Sequence, residues 1–579
     1  MELLNFVSKF YNLKYFFLIF SFLIVTNLMF SQEGKKIDFT SDRSRVDQEN
    51  YPDAFVLSKV KNQVYFIHEG IEVWCDRAIF YQMDSFFRAF GNVRMKQGDT
   101  INMTSKYAEY NGNTQFAFAS EDVVLTTPSN KLTTDSLFFN RVKQEAFYRS
   151  GGKVQDSAST ITSIRGRYFM NQEKFSFKQN VKVRNPEYDI DSENLDFYSE
   201  EGHAYLYGPS TITSETSVVY CERGFYDTRN DNGFFVKNSK VDYENRKLEG
   251  DSIFFDRPSG FASATNNIKI TDTINQSLIT GHYAEVFRKK DSLFITKNPI
   301  VAIKQEKDSV YLASDTLLVT GEVDNRDIRA YYDARIFKFD LSGKADSIHS
   351  SEKTGLTKLI RNPVLWSGES QITGDTIHLI SNTETEKLDS LRVFENSFMI
   401  QKDSIEGYNQ IKGKELYGLF ENNEIYEVDI IKNTESLFYV RDDSSDLVGI
   451  DKSLSAKIKI LLEEQEILDV TYYNNVDSKT FPSSQFPENS KELKGFSWRG
   501  EERLTSKADL LKGRERPVLP KIKGIKDPEI YEDFFEGMDE LNSNSNLKNS
   551  TLKNIKENTP PKALEKSPKP KTIKPIDEE

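Results

Sequence analysis

Carboxylates recur at one point of a repeated pattern, at Asp76, Asp135, Asp251 and Asp315. Stacked carboxylates of this kind, working with a metal, would suit acid–base cleavage of an acidic polysaccharide by a β-helix enzyme. The same column holds Lys106, Gly166 and His282 in other copies, which fits a polar turn that starts a strand better than a row of proton donors. The five histidines, His68, His203, His282, His349 and His378, are scattered, and no pair has the four-residue spacing that presents two imidazoles to zinc on one helix face. There is no phosphate-cradling Gly-rich loop and no Gly-x-Ser-x-Gly elbow. The expectation is a non-enzymatic chain with no catalytic residue, no metal ligand and no cofactor.

The elements that carry this column are short strands. A motif of about thirty residues recurs at least nine times between Asp76 and Val319. It places a polar residue, then an apolar one two positions on, then a large apolar or aromatic one two positions further. The copies are Asp76, Ala78, Phe80; Lys106, Ala108, Tyr110; Asp135, Leu137, Phe139; Gly166, Tyr168, Met170; Glu193, Leu195, Phe197; Glu222, Gly224, Tyr226; Asp251, Ile253, Phe255; His282, Ala284, Val286; and Asp315, Leu317, Val319. Strand side chains alternate faces, so the two apolar columns point to one buried side. The column between them, which includes Glu109, Asp196 and Glu285, points at least partly to water. A second strand signal follows about a dozen residues on, after an Asn- or Gly-containing corner, as at Gly91-Asn92-Val93, Asp122-Val123, Lys240-Val241 and Asn267-Ile268.

One such unit cannot bury its own apolar face, whereas stacked units make a continuous sheet-lined interior. The fold class is therefore all-β, a repetitive β-solenoid of stacked short strands. Its 42 Phe and 27 Tyr against 3 Trp and 8 Met suit half-buried pleated surfaces. Two readings of the interior stand side by side. Interlocked rings would give a dry packed core, while a trough between the walls would admit a lipid chain, each methylene gaining about 0.8 kcal/mol on leaving water. The mixture of Ala78, Ala108, Gly224 and Ala284 with large neighbours agrees with either.

The ends set the compartment and the domain limits. Lys9 and Lys14 precede an uncharged run from Tyr15 to Phe30, followed by Ser31-Gln32-Glu33. That is the layout of a secretory signal peptide over residues 1–31, shorter than the ~20 apolar residues of a comfortable membrane span. An exported protein is expected, and an uncleaved anchor is the other reading. A net charge of -13 argues against a nucleic-acid-binding surface. Cys75 and Cys221 hold equivalent places five copies apart, so at ~4.8 Å per stacked strand they are too distant to pair, and no disulfide is expected. Regular repeats fill residues 36–320 and a looser β-repeat section fills 321–480, where Pro363-Val364-Leu365-Trp366 reads as an extended strand that bends or caps the stack. Residues 481–579, rich in Lys, Pro, Asn and Ser towards their end, are expected to be largely disordered. Clustered aromatics at Ile530-Tyr531-Glu532-Asp533-Phe534-Phe535 leave room for a short docking helix.

The serial pattern of polar, x, apolar, x, aromatic followed by a Gly-Asn-Val corner, clearest over Asp76 to Val93, Asp135 to Val154 and Asp251 to Ile270, resembles the OstA-like, LptA-like family of lipopolysaccharide-transport proteins. The resemblance implies a folded-over β-jellyroll in the periplasm, associated with the cell envelope, whose groove shields lipopolysaccharide acyl chains during outer-membrane assembly. It also implies partners in the same transport machinery, reached by edge-strand pairing. The candidate groove-lining residues are then Ala78, Phe80, Ala108, Tyr110, Leu137, Phe139, Leu195, Phe197, Tyr226, Ile253 and Phe255. This chain is longer than a short bridge protein of that family, and its polar, Pro-rich last hundred residues are not expected to form the C-terminal barrel of the family's outer-membrane translocon. A structural or adhesive exported solenoid is the alternative from a different class, ahead of the polysaccharide-acting enzyme.

Overall fold

A computed structural model describes residues 36–528, except positions 157, 275, 306–308, 323–324, 386, 404, 422–423, 443 and 464–465. The expected signal segment and the aromatic cluster at 530–535 lie outside the described residues. Among those described, the chain makes 38 strands in one antiparallel sheet, and the other regular elements are short 3-10 helices. No helix in this range is long and apolar enough to cross a membrane.

The sheet is a meander folded along its midline. Each long strand runs from one rim to the other, as in Phe86–Gln97 and Ile101–Asn111, and tight turns join neighbours alternately at the two rims. Halfway along, two consecutive residues take positive φ: Gly91 and Asn92, Gln179 and Asn180, Lys237 and Asn238, Asn266 and Asn267, Glu395 and Asn396, Lys432 and Asn433. The hydrogen-bond ladder skips at the same places. Asn tolerates the left-handed region better than most residues, which is why the corners read as Asn or Gly in the sequence. Repeated rung after rung, these double steps draw a crease that folds the sheet into two facing walls.

The polar column that opens the motif sits on this crease. Asn92 donates from Nδ2 to Asp76 at 2.5 Å, Asn238 to Glu222 at 2.7 Å and Asn267 to Asp251 at 2.9 Å, each pair sixteen residues apart. The Asn92 amide, opposed by burial and aided by Lys59 and Gln63, holds the Asp76 carboxyl below the ordinary range. These carboxylates pin corners. Gly166 breaks the column because the Tyr148 ring occupies the space a Cβ there would need, at 2.4 Å.

The motif's apolar columns face inward on one wall, here the motif wall, and Val93, Val123, Val154, Ile212 and Ile268 face them from the opposite wall; all five are buried. At the eighth copy's end the inward residue is Val301, with Ile300 turned outward against Leu504 and Leu510. The column between the apolar ones does lie on the outer face. Glu109, Phe138, Phe225, Phe254, Glu285 and Leu318 are half-buried there, but Ile79, Phe169 and Asp196 are buried by neighbours on that face. Asp196, for example, meets the buried Lys174 at 3.1 Å.

Ladder pairing continues unbroken through residue 320, with Val319 opposite Ile328, and on to Phe481. The structure departs from expectation at residues 482–525, which are ordered and run back along the outer face of the opposite wall as a strap. Phe486 and Leu493 pack on Phe398, Ile400, Leu437 and Tyr439, and Leu504 and Leu510 pack beside Ala313. Gln410 and Gln371 bond to the strap's backbone at Lys491, Leu493, Ser497 and Arg499. Arg335 donates to the carbonyls of Asp509, Leu510 and Lys512, and Asn266 to that of Pro520. The physical reason lies in strands that are apolar on both faces: Phe398 and Ile400 meet the strap while Met399 faces inward. Val364–Ser367 is buried throughout for the same reason, so it is a covered rung of the stack and not a break in it.

Candidate functional site: an apolar trough between the walls

The space between the walls changes character along the stack. From Ile37 to Phe235, here the ring-filled section, the interior sets aromatic rings among its aliphatic side chains. Phe66 stacks on Phe87 at 4.1 Å, Phe66 and Phe80 meet edge-on at 5.5 Å, and Phe175 stacks on Tyr168 at 4.2 Å. The buried interior from Ile253 to Leu462 is aliphatic apart from Phe420. Aromatic rings span the gap between two sheets, whereas Val, Ile and Ala side chains do not reach as far. Where one regime gives way to the other, a cavity of about 1360 Å³ opens between the walls, larger than a drug-sized ligand needs.

On the opposite wall the cavity is lined by Ile212, Val219, Val241, Leu248, Ile270 and Ile279, which are neighbours across successive strands. On the motif wall it meets Tyr226, Ile253, Phe255, Val286, Leu293 and Val319. Its mouth lies between the rims and carries charge of both signs, including Arg246, Arg257, Arg288 and Arg326 with Asp256, Asp272 and Asp291. Arg257 faces Asp231 at 3.4 Å, and Arg246 and Arg326 both reach Asp272, at 3.5 and 3.4 Å. Burial pushes the Tyr188 phenol up to about 12, and burial with the bond to Asp231 pushes the Tyr226 phenol higher still, so both stay neutral in any ordinary buffer.

The candidate groove residues divide between the two regimes. Ala78, Phe80, Ala108, Tyr110, Leu137, Phe139 and Leu195 lie in the ring-filled section, none more than 6% exposed, and Phe197 packs half-buried against them. Tyr226, Ile253 and Phe255 line the cavity. The small residues of the column match bulky neighbours in at least one case: a Cβ on Gly224 would stand 2.9 Å from the Phe235 ring. Sequence reading did not single out the opposite-wall row from Val219 to Ile279. Its signal was the loss of aromatics from the inward columns after Phe255.

Among the described residues no group of three or more His, Cys, Asp or Glu is placed to hold a metal ion. His349 and His378 lie against Tyr331 and Phe394 on the outer face, with burial and then nearby Arg and Lys lowering their pKa. His68 shares a 2.8 Å hydrogen bond with Tyr110. Cys75 and Cys221 are buried free thiols that burial pushes up to about 12.

Residues 36–193 match the family model described as OstA-like protein. Among solved structures, LptH, the LptA homologous periplasmic component of the conserved lipopolysaccharide transport device from Pseudomonas aeruginosa, aligns at 18% identity over 17% of this chain and 76% of that chain, with a TM-score of 0.17. No curated protein matches the chain. Over residues 36–193 the chain is thus similar to OstA-like proteins, as its repeat pattern predicts.

Proposed function

We propose that this chain is a non-enzymatic periplasmic protein that binds lipopolysaccharide and shields its acyl chains in the trough during outer-membrane assembly. The observation that carries this reading is the largely apolar cavity between the walls, with Arg and Asp side chains around its mouth. A chain of about a dozen methylenes transferred into it gains about 10 kcal/mol before the costs of association. The attraction is non-directional, so neighbouring rungs of similar lining hold a chain about equally well. Arg246, Arg257, Arg288 and Arg326 at the rims have the charge to meet lipid phosphates.

Partners in the transport machinery are expected at the ends of the stack. Arg43–Asp47 at one end and Asp477–Phe481 at the other are exposed over four of their five residues and offer unpaired edges for strand addition. The test is photo-crosslinking in cells, with benzoylphenylalanine at Phe255 on the cavity and at Phe254 on the outer face of the same strand. Lipopolysaccharide adducts from Phe255 and none from Phe254 support the reading, and equal labelling at the two sites defeats it.

A further inference from the structure

Side chains bridge the trough from rim to rim at several rungs. In the ring-filled section Arg141 reaches Glu69 at 3.0 Å and Gln144 meets Gln97 at 3.5 Å across the rims, above stacked rings such as Phe66 and Phe87. At the boundary Tyr188 of the opposite wall meets Tyr226 of the motif wall edge-on, at 5.6 Å and 85°, and Tyr226 is fixed by its 2.7 Å bond to Asp231. Beyond the cavity the interior narrows to a space of about 190 Å³ lined by Ile303, Leu312 and Ile328. Two bridges cross the mouth itself. The Arg288 guanidinium donates to the Tyr243 hydroxyl and lies 4.6 Å from the centre of that ring, and Arg326 pairs with Asp272.

We propose that the mouth spanned by Tyr243–Arg288 and Asp272–Arg326 is a lateral port through which an acyl chain enters at mid-body, and that Tyr188–Tyr226 is the stop that closes the trough toward its N-terminal end. This rests on the acyl-binding reading above. Opening the port costs two bridges, but Asp272 keeps Arg246 at 3.5 Å and Asn245 at 2.7 Å. Arg288 and Arg326, once released, face the head group of the entering lipid, and an anionic head group replaces the partners they give up. The chain therefore takes its lipid from the side, not by threading from the N-terminal edge.

The test uses the full chain and cis-parinaric acid, a fluorescent fatty acid, as probe. A Tyr243→Cys/Arg288→Cys variant is bridged by a short bis-maleimide and compared with the same variant capped by N-ethylmaleimide; Cys75 and Cys221 are buried and are spared. A Gln97→Cys/Gln144→Cys variant, bridged in the same way, controls for stiffening of the rims. Loss of probe uptake in the bridged mouth, with uptake kept in the capped form and in the Gln97/Gln144 bridge, is expected. Equal uptake by bridged and capped mouths overturns the port while leaving lipid binding intact, and no uptake by the unmodified chain overturns the acyl-binding reading and the port with it.

Discussion

Filling the cavity separates a binding trough from a packed core most sharply. Val241 and Ile279 are half-buried and look into the cavity from the opposite wall. If an indole there takes the room of about four methylenes, a bound acyl chain loses about 3 kcal/mol, about two hundredfold in affinity. The space already exists, so Val241→Trp and Ile279→Trp should leave the thermal midpoint near that of the unmodified chain. Ala119, 1% exposed within the ring-filled section, has no such room, and Ala119→Trp should cost about 1–3 kcal/mol or more by overpacking. The assay pairs a thermal melt with titration of cis-parinaric acid. A Val241→Trp protein as destabilised as Ala119→Trp would show that the cavity offers no room. A stable Val241→Trp protein with unchanged affinity would show that the chain lies elsewhere.

Leu510, the strap residue 1% exposed against Ala313, should cost about 2–5 kcal/mol on replacement by Ala, read by chemical denaturation. Glu502 is held down to about 2 chiefly by hydrogen bonds from Arg499, opposed by burial and aided by Lys344. A lowered carboxylate pKa contributes stability above its unfolded value of 4.5 that is lost as pH falls toward about 2; hydrogen exchange over residues 499–511 should quicken across that window, and Glu502→Gln should flatten the dependence. Asn267→Ala, which removes the donor to Asp251 at a φ of 50°, should lower stability by about 1–2 kcal/mol, with Asn267→Gly recovering part of it. Cys75 and Cys221 should resist a thiol reagent in the native chain and react together on unfolding, since only the thiolate attacks.

The repeat, the two faces of each strand and the Asn corners were legible because period-two alternation and left-handed backbone leave local marks on sequence. The crease pairs were half visible: the Asp76 and Asn92 positions each stood out, but their bond joins residues sixteen apart on neighbouring strands. The strap was not legible. Residues 482–525 are polar enough to read as tail, and what orders them is the apolar outer face of Phe398, Ile400 and Tyr439, a tertiary circumstance with no local signal. The place of the open trough was likewise hidden, because Phe80 and Phe255 hold the same motif position and only their cross-wall neighbours decide that one is walled in by Phe39 and Phe66 while the other borders a cavity. The OstA-like match ends at residue 193, where the cavity lining, which begins at Asn185, has barely started.

A structure of the protein loaded with lipopolysaccharide tests the central claim most directly. Hydrocarbon lying between Val241, Ile279 and Phe255, with the Tyr243–Arg288 bridge parted, is the predicted result. Lipid bound only on the outer faces, with the cavity still shut and empty at saturation, would contradict it.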